Sequence, residues 1–276
     1  MNEYMNMIVK NAARANPEKP GDYRGEDGIL RCGNCHGKKE WRSPEGRLFP
    51  CSCLCVKQKI EREKKERELE ERFNKACSLP VFAELHDKKT AAHMFSEHDG
   101  TNPTALKAAK AFVEHWEDVK KRGVGLLFWG GVGTGKTFLS GCIANALMTE
   151  KVPTLVTSTT RVLSSVSGMN RDINGVFESL KAYDLLVLDD FGAERQSPFA
   201  LEQITRLIDE WSKGGKPLIL SSNITLSDMK NPENVELSRI YDRVMAICAP
   251  VKLDGESHRA QQAKENLAWM RSILNG

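Results

Sequence analysis

The sequence predicts an α/β protein in which helices flank a central parallel sheet, preceded by a small cysteine-rich module and a charged helical linker. Three observations predict it: a glycine-rich loop at 130–137 between a strand pattern and a helix pattern, a buried strand pattern at 185–190 that ends in two acids, and a cysteine cluster at 32–55. A chain of 276 residues, 40% of them apolar, can bury the core of one large α/β domain beside a small module.

The glycine-rich loop reads Gly-Gly-Val-Gly-Thr-Gly-Lys-Thr, which is the G-x-x-x-x-G-K-[ST] pattern of a phosphate-binding loop. Backbone N–H groups must turn inward around a polyphosphate, and glycines permit the close approach that this requires. The first turn of the following helix and the Lys136 ammonium add positive charge, and the Thr137 hydroxyl is expected to bind Mg²⁺. The predicted nucleotide-binding residues are Gly130, Gly131, Val132, Gly133, Thr134, Gly135, Lys136, Thr137 and Phe138.

Residues 185–190 read Leu-Leu-Val-Leu-Asp-Asp, a buried strand pattern followed by two carboxylates. In open α/β sheets ligands bind outside the carboxyl ends of the strands, so both acids are expected beside the phosphate loop. This is the Walker B pattern. We expect Asp189 to hold Mg²⁺ and Asp190 to orient or deprotonate the attacking water, because phosphoryl transfer depends mainly on positioning and charge neutralisation.

Two further segments place polar residues at the predicted site. Asn223 follows a second buried strand pattern at 217–222 and would lie near the terminal phosphate, although an isolated Asn can equally cap the next turn. In residues 236–247, Arg239 and Arg243 project away from an apolar helix face. They can act as arginine fingers on the nucleotide of a neighbouring subunit, or they can simply belong to a solvated face.

Five of the eight cysteines lie between Cys32 and Cys55, in a chain that shows no export signal. This spacing favours a tetrahedral Cys₄ zinc site on a small β-ribbon over disulfides. Cys32 and Cys35 supply two ligands; any two of the three later cysteines can complete the site, and we expect Cys51 and Cys53 to do so. The alternatives are reduced thiols without a metal, and haem attachment at the Cys-x-x-Cys-His pattern, which would leave the later cysteines unexplained.

The loop between these cysteines combines bases with an aromatic side chain that can stack on single-stranded nucleic acid, or it forms an ordinary solvated surface. The residues concerned are Lys38, Lys39, Trp41, Arg42 and Arg47. A net charge of +3 is too small to indicate nucleic-acid binding by itself. The apolar runs are too short to span a membrane, so we expect no membrane association and a cytoplasmic location.

With these segments in order, the chain resembles the AAA+ ATPases of the DnaC/DnaI helicase-loader type and the similar IstB transposition helpers. The match is carried by residues 130–137, by Leu-Leu-Val-Leu-Asp-Asp-Phe-Gly-Ala-Glu at 185–194, by Leu-Ser-Ser-Asn at 220–223, by Ser-Arg-Ile-Tyr-Asp-Arg-Val at 238–244 and by Gly-Glu-Ser-His-Arg at 255–259. The resemblance implies that Asn223 is the sensor 1 residue, that Arg239 and Arg243 form the arginine-finger region, and that Arg259 is the sensor 2 arginine.

The segment before Pro80 is dense in Lys, Arg and Glu, which predicts a helical linker that Pro80 ends. The expected domains are a zinc-binding module at 1–57, a charged helical linker at 58–80 and an AAA+ ATPase domain at 81–276. The resemblance implies that the protein loads a DnaB-type replicative helicase onto single-stranded DNA, as a homo-oligomer that can form a hexamer with the helicase. ATP, Mg²⁺ and Zn²⁺ are the implied cofactors, with ATP binding and hydrolysis as the switch. The alternative is an IstB-like ATPase that binds target DNA for a transposase.

Overall fold

The computed structural model describes residues 17–167, 172–193 and 197–274, apart from the side chains of Gln261 and Gln262. Glu194, the last residue of the 185–194 motif, therefore lies outside the described residues, as do the first 16 residues of the predicted zinc module. The chain divides into two compact units between Glu71 and Arg72. This division falls within the segment predicted as a helical linker.

The first unit contains two short antiparallel hairpins. Strand β1 (Tyr23–Arg24) pairs with β2 (Leu30–Arg31), and β3 (Glu40–Arg42) pairs with β4 (Leu48–Pro50). A buried ion pair joins the Lys39 ammonium to the Asp22 carboxylate at 2.5 Å and lowers the pKa of Asp22 to about 2. The described apolar core is small, with Ile29, Leu30 and Cys53 as its buried members. So small a core cannot stabilise this unit alone, and a structural metal commonly supplies the missing free energy.

Helix α1 (Leu54–Cys77) forms where the sequence is dense in Lys, Arg and Glu. Its ion pairs at i, i+4 include Lys59 with Glu63 at 3.6 Å and Lys64 with Glu68 at 3.8 Å. All four side chains are exposed, so each pair contributes a few tenths of a kcal/mol, about 0.3–0.5. Ala76, near the end of the helix, is buried in the core of the second unit.

The second unit is built on a five-stranded sheet whose strand pairings are all parallel, in the order β6-β7-β8-β5-β9. The strands are β5 (Gly125–Gly130), β6 (Thr154–Ser158), β7 (Leu185–Phe191), β8 (Leu218–Ser222) and β9 (Cys248–Leu253). The helices are α2 (Pro80–Leu85), α3 (Pro103–Glu114), α4 (Trp116–Arg122), α5 (Lys136–Thr149), α6 (Thr159–Val166), α7 (Ile173–Leu180), α8 (Pro198–Lys213), α9 (Leu226–Lys230), α10 (Val235–Ile247) and α11 (His258–Leu274). The 3₁₀ turns Lys88–Ala92 and Phe95–Glu97 lie between α2 and α3.

Both faces of this sheet are covered by helices, which explains the continuous apolar runs in its strands. Alternate residues of β7 belong to two separate cores: Leu186 and Leu188 pack with α6, α7, α8 and α10, whereas Leu185 and Val187 pack with α3, α4 and α5. In β5, Leu127 belongs to the first core and Phe128 to the second. The predicted doubly covered parallel sheet is therefore confirmed.

The carboxyl ends of three adjacent strands meet at one edge of the sheet. β5 ends at Gly130, β8 ends just before Asn223, and β7 ends at a bulge between Leu188 and Phe191 that contains both predicted acids. The acids in the last part of β7 and Asn223 after β8 thus lie at the carboxyl ends of strands that run in the same direction as the strand before the phosphate loop. In the part of the chain that the structure describes, no helix is long and apolar enough to cross a membrane.

Asp184, just before β7, is the centre of a charge cluster within the second unit. Its carboxylate, 6% exposed, accepts hydrogen bonds from Arg72 at 2.7 and 2.9 Å and from Lys120 at 2.8 Å. The substitution Asp184→Asn removes the negative charge, so the side chains of Arg72 and Lys120 lose their anionic partner. Because both cations are partly exposed and can be hydrated, we expect a loss of about 1–3 kcal/mol in the free energy of unfolding, measured by urea denaturation.

Asp118→Asn is the matched control for this experiment. Asp118 and Lys121 form an ion pair at 3.8 Å in which both side chains are 74% exposed. Its loss should change the free energy of unfolding by less than about 0.5 kcal/mol. Equal effects of the two substitutions would show that Asp184 is not a stabilising centre.

Candidate functional site

Two glycines of the phosphate loop, Gly130 and Gly133, stand where a side chain would collide with neighbouring atoms. Gly130 has a φ of 144°, and a Cβ there would lie 2.0 Å from the Leu253 carbonyl oxygen. Gly133 has a φ of 78°, and a Cβ there would lie 2.1 Å from the Ser257 hydroxyl oxygen. The loop thus needs glycine at these positions, and it leads directly into the N-terminus of α5 at Lys136.

Lys136 lies under the loop with 7% of its surface exposed. Its ammonium donates hydrogen bonds to the carbonyl oxygens of Gly130 at 2.9 Å and Gly131 at 2.5 Å. Burial lowers the pKa of Lys136, while the charges of Asp189 and Asp190 raise it. A buried cation at the N-terminus of a helix fits an anionic ligand such as a polyphosphate.

Thr137 and Asp189, the two predicted magnesium ligands, are in direct contact across 52 positions of sequence. The Thr137 hydroxyl lies 2.9 Å from both oxygens of the Asp189 carboxylate. A hydroxyl and a carboxylate are the oxygen donors that Mg²⁺ uses beside nucleotide phosphates. These two residues therefore fit a magnesium ion.

Asp190 occupies a left-handed backbone conformation, with a φ of 53°. Its N–H donates to the Ser221 hydroxyl at 3.2 Å, and its carbonyl accepts from the Thr159 hydroxyl at 3.1 Å. Burial and the neighbouring Asp189 carboxylate raise the pKa of Asp190, while Arg259 and Lys136 lower it. A carboxylate with a raised pKa is better suited to accept a proton near neutral pH.

A cavity of about 400 Å³ brings the predicted residues together. Its lining includes Lys136, Thr137, Asp190, Asn223 and Arg259, with part of the phosphate loop. Its size falls within the range of ligand pockets, about 300–1,000 Å³. The structure thus places one Walker B acid, the predicted sensor 1 residue and the predicted sensor 2 residue around the same cavity as the loop lysine.

The segment between α2 and α3 also lines this cavity, and the sequence interpretation did not identify it. The residues concerned are His93, Glu97, His98, Asp99, Thr101 and Asn102. The rings of His93 and His98 lie 5.1 and 5.9 Å from the Phe138 ring, and Asn102 donates to the Thr134 carbonyl at 3.4 Å. This segment carries no motif and no apolar periodicity. The only sequence feature that could have indicated its role is its location shortly before the phosphate loop.

The two predicted finger arginines are not among the described residues that line the cavity. Arg243 forms an ion pair with Asp209 on α8, at 2.5 Å. Arg239, on the same helix α10, is exposed and lines a groove between α8 and α10. Both side chains thus lie away from the nucleotide site of their own chain.

Four cysteine sulfurs come together in the first unit, each within 4.8 Å of the others. They belong to Cys32, Cys35, Cys53 and Cys55. The expected ligand Cys51 is not in this group, because its N–H continues the β3–β4 ladder to the Lys39 carbonyl and its thiol lies 3.5 Å from the Lys38 carbonyl. Cys53 precedes α1 and Cys55 lies in its first turn, so the start of the helix brings Cys55 into the position predicted for Cys51.

This donor set fits zinc. Tetrahedral coordination with Zn–S bonds of about 2.3 Å separates the sulfurs by about 3.8 Å, which the observed group can adopt with small shifts. Hydrogen bonds from the backbone N–H groups of Cys55 and Gly37 lower the pKa of Cys35 to about 6. Hydrogen-bond donors of this kind surround metal-bound thiolates and adjust how strongly they bind the metal.

The bases near this cluster are less available than the sequence indicated. Lys39 is 2% exposed in its ion pair with Asp22, and Arg42 donates to the Asp27 carbonyl at 3.0 Å. Trp41 is 45% exposed and stacks on Phe49, with ring centroids 5.1 Å apart. Trp41 is thus exposed as the sequence interpretation requires, whereas Lys39 is not available at the surface.

Two curated proteins illustrate the relatives of this chain. The replicative helicase loader DnaI of Bacillus subtilis (strain 168) is 24% identical over 222 residues, which cover 74% of this chain and 67% of that protein. An ATP-binding protein of an insertion sequence from Mycobacterium tuberculosis (strain ATCC 25618 / H37Rv) is 26% identical over 145 residues, covering 51% of this chain and 57% of that protein.

Solved structures show the same fold. The crystal structure of DnaI aligns with a TM-score of 0.54 at 23% identity, covering 61% of this chain and 94% of that one. The crystal structure of the DnaC helicase loader aligns with a TM-score of 0.52 at 21% identity, covering 61% of this chain and all of that one (100%). The predicted AAA+ P-loop fold is thereby confirmed.

The sequence model of the IstB-like ATP binding protein family matches residues 53–266, from the last two cysteines of the four-sulfur group into helix α11, which contains Arg259. This match spans the phosphate loop, the Walker B acids, Asn223 and both regions of predicted functional arginines. The chain therefore belongs to the family of IstB-like ATP-binding proteins.

Proposed function

We propose that this protein hydrolyses ATP and uses the nucleotide to control the loading of a replicative helicase onto single-stranded DNA. The observation that carries the ATPase assignment is the contact between Thr137 and Asp189 beside the buried Lys136. In that arrangement the oxygen atoms of Thr137 and Asp189 can bind Mg²⁺, and the nearby Lys136 ammonium can bind phosphates. Phosphoryl transfer requires both.

Each residue around the cavity has a role in this proposal. Lys136 and the loop N–H groups bind the phosphates, and Thr137 and Asp189 hold Mg²⁺, which neutralises phosphate charge when it is bound. Asp190 accepts a proton from the attacking water. Asn223 orients that water beside the terminal phosphate, and Arg259 adds positive charge at the same cavity.

The arginines on α10 act between subunits in this proposal. Neither Arg239 nor Arg243 lies at the nucleotide cavity of its own chain, so each can reach only the nucleotide of another copy. An arginine supplied in trans stabilises negative charge in the transition state. Hydrolysis would then require a homo-oligomer, with a hexamer on the helicase as one form.

The helicase-loading part rests on relatives that are named replicative helicase loaders. We propose a DnaB-type helicase and single-stranded DNA as partners, a zinc-stabilised module at the N-terminus, and a cytoplasmic location. The match to DnaI covers 74% of this chain, against 51% for the insertion-sequence protein.

Mixing the full chain with a DnaB-type helicase and measuring the mass of the complex tests the loading function. We expect a defined complex in the presence of ATP that dissociates as ATP is hydrolysed. A slowly hydrolysed ATP analogue should keep the complex intact. If no complex forms under any nucleotide condition while the protein still hydrolyses ATP, the helicase-loading assignment is wrong and the ATPase assignment stands.

The second candidate is a transposition helper that binds target DNA. The family description and the similarity to an ATP-binding protein of an insertion sequence favour it. Such a protein should bind double-stranded target DNA in the presence of ATP without a helicase. Tight duplex binding together with no helicase complex would select this function.

A further inference from the structure

Ser221 contacts both Walker B acids, and the Leu-Ser-Ser-Asn segment that contains it was assigned a role only at Asn223. It is on β8, two residues before Asn223, and it is 1% exposed. Its hydroxyl donates to an Asp189 carboxylate oxygen and accepts the N–H of Asp190 at 3.2 Å. A single buried side chain therefore contacts the proposed magnesium ligand and the backbone of the proposed general base.

The hydrogen-bonding capacity of a serine hydroxyl limits the contacts that Ser221 can make. It has one O–H donor and two acceptor lone pairs. The donor is used on a carboxylate, which makes a charge-assisted hydrogen bond, and one lone pair receives the Asp190 N–H. Because the side chain is buried, water cannot readily replace either contact.

Both contacts fall at the irregular end of β7. The pairing of β7 with β8 shifts register between Leu188 and Phe191, and Asp190 within that bulge has a φ of 53°. A β-bulge next to an active site changes the direction in which side chains leave the strand. Ser221 comes from the neighbouring strand, so it fixes how the two acids leave the sheet.

We propose that Ser221 is a positioning residue for the nucleotide-bound metal. It holds the Asp189 carboxylate against Thr137 and holds the Asp190 backbone in its left-handed conformation. This inference rests on the proposed ATPase function and assigns a new residue to that site. It does not depend on the helicase or on DNA.

The test measures binding of a fluorescent ATP analogue to the full chain as the Mg²⁺ concentration is varied. Groups that orient metal ligands change metal affinity by about 10–100-fold when they are removed. Ser221→Ala should therefore raise the Mg²⁺ concentration for half-maximal binding by about 10-fold. Binding of the analogue in EDTA should stay within about twofold of wild type, because the hydrogen bonds of Ser221 go to the two acids and those of the Lys136 ammonium go to the loop carbonyls.

Ser222→Ala is the matched control. Ser222 is also 1% exposed and on β8, but its hydroxyl donates to the Phe191 carbonyl at 2.7 Å and accepts the Ile224 N–H at 3.1 Å. This variant also loses two buried hydrogen bonds of a serine hydroxyl on β8, but to backbone groups rather than to Asp189. It should show the wild-type Mg²⁺ dependence even if its melting temperature falls as far as that of Ser221→Ala.

The outcomes separate this inference from the function on which it rests. An unchanged Mg²⁺ dependence in Ser221→Ala, or an equal shift in Ser222→Ala, would overturn the role of Ser221 while wild-type binding still supports a nucleotide site. Wild-type protein that binds no nucleotide with Mg²⁺ would overturn both. If Ser221→Ala does not fold, Ser221→Cys takes its place, since a thiol is a weak donor of similar size and should give the same shift.

Discussion

The substitution Asp190→Asn is expected to lower the rate of ATP hydrolysis by at least about 100-fold and to leave ATP binding nearly unchanged. The carboxylate is the proposed proton acceptor, and a positioned base of this kind contributes about 10²–10⁴-fold. Asn removes the basic oxygen but tolerates a left-handed backbone, which Asp190 adopts with a φ of 53°. The loss can therefore be attributed to the chemistry of the side chain.

Lys136→Ala is the companion variant, and its defect should appear at a different step. It removes the buried ammonium below the phosphate loop, so we expect it to lose ATP binding as well as hydrolysis. Measuring hydrolysis and equilibrium binding for wild type and both variants separates the two roles. Asp190→Asn with more than about one tenth of the wild-type rate would exclude Asp190 as the base.

The phosphate loop and its neighbours could be predicted from sequence because each depends on local backbone requirements. Gly130 and Gly133 are needed where a Cβ would meet Leu253 or Ser257, and the pattern of glycines records this need directly. The parallel direction of the strands then requires that acids at the end of β7 and a polar residue after β8 lie at the same edge. Local pattern and topology together locate this part of the site.

The parts that sequence could not supply depend on side chains that meet across the fold. Arg243 pairs with Asp209 on another helix, and His93 and His98 pack against Phe138 in the lining of the cavity. Neither contact follows from spacing along the chain. Ser221 is similar, since β-strand periodicity indicates burial but not that the side chain faces a carboxylate.

Sequence could not decide among the later cysteines for a related reason. Spacing permits two of Cys51, Cys53 and Cys55 to close on a metal, and only the positions of β4 and α1 decide between them. Cys51 continues the hairpin ladder, whereas the first helical turn brings Cys55 to the group. The start of α1 could be placed from sequence only to within a few residues, about 2–4, which is the distance between these cysteines.

This revised ligand set leads to the prediction with the largest expected effect on folding. Cys55→Ser should lower zinc affinity by at least about 100-fold, because loss of a ligand costs more than loss of a group that merely orients one. Since zinc binding supplies folding free energy to such a small unit, residues 17–71 should also become sensitive to protease. Zinc content after dialysis against a chelator, with limited proteolysis, measures both effects.

Cys51→Ser controls for the general effect of replacing a cysteine in this module. Its thiol contacts the Lys38 carbonyl rather than the four-sulfur group, so this variant should retain about one zinc per chain and wild-type resistance to protease. Each variant replaces one sulfur in the same short segment, but only the Cys55 sulfur belongs to the four-sulfur group. Zinc loss in Cys51→Ser with retention in Cys55→Ser would restore Cys51 as a ligand, and wild-type protein without zinc would leave the four thiols as an unligated reduced cluster.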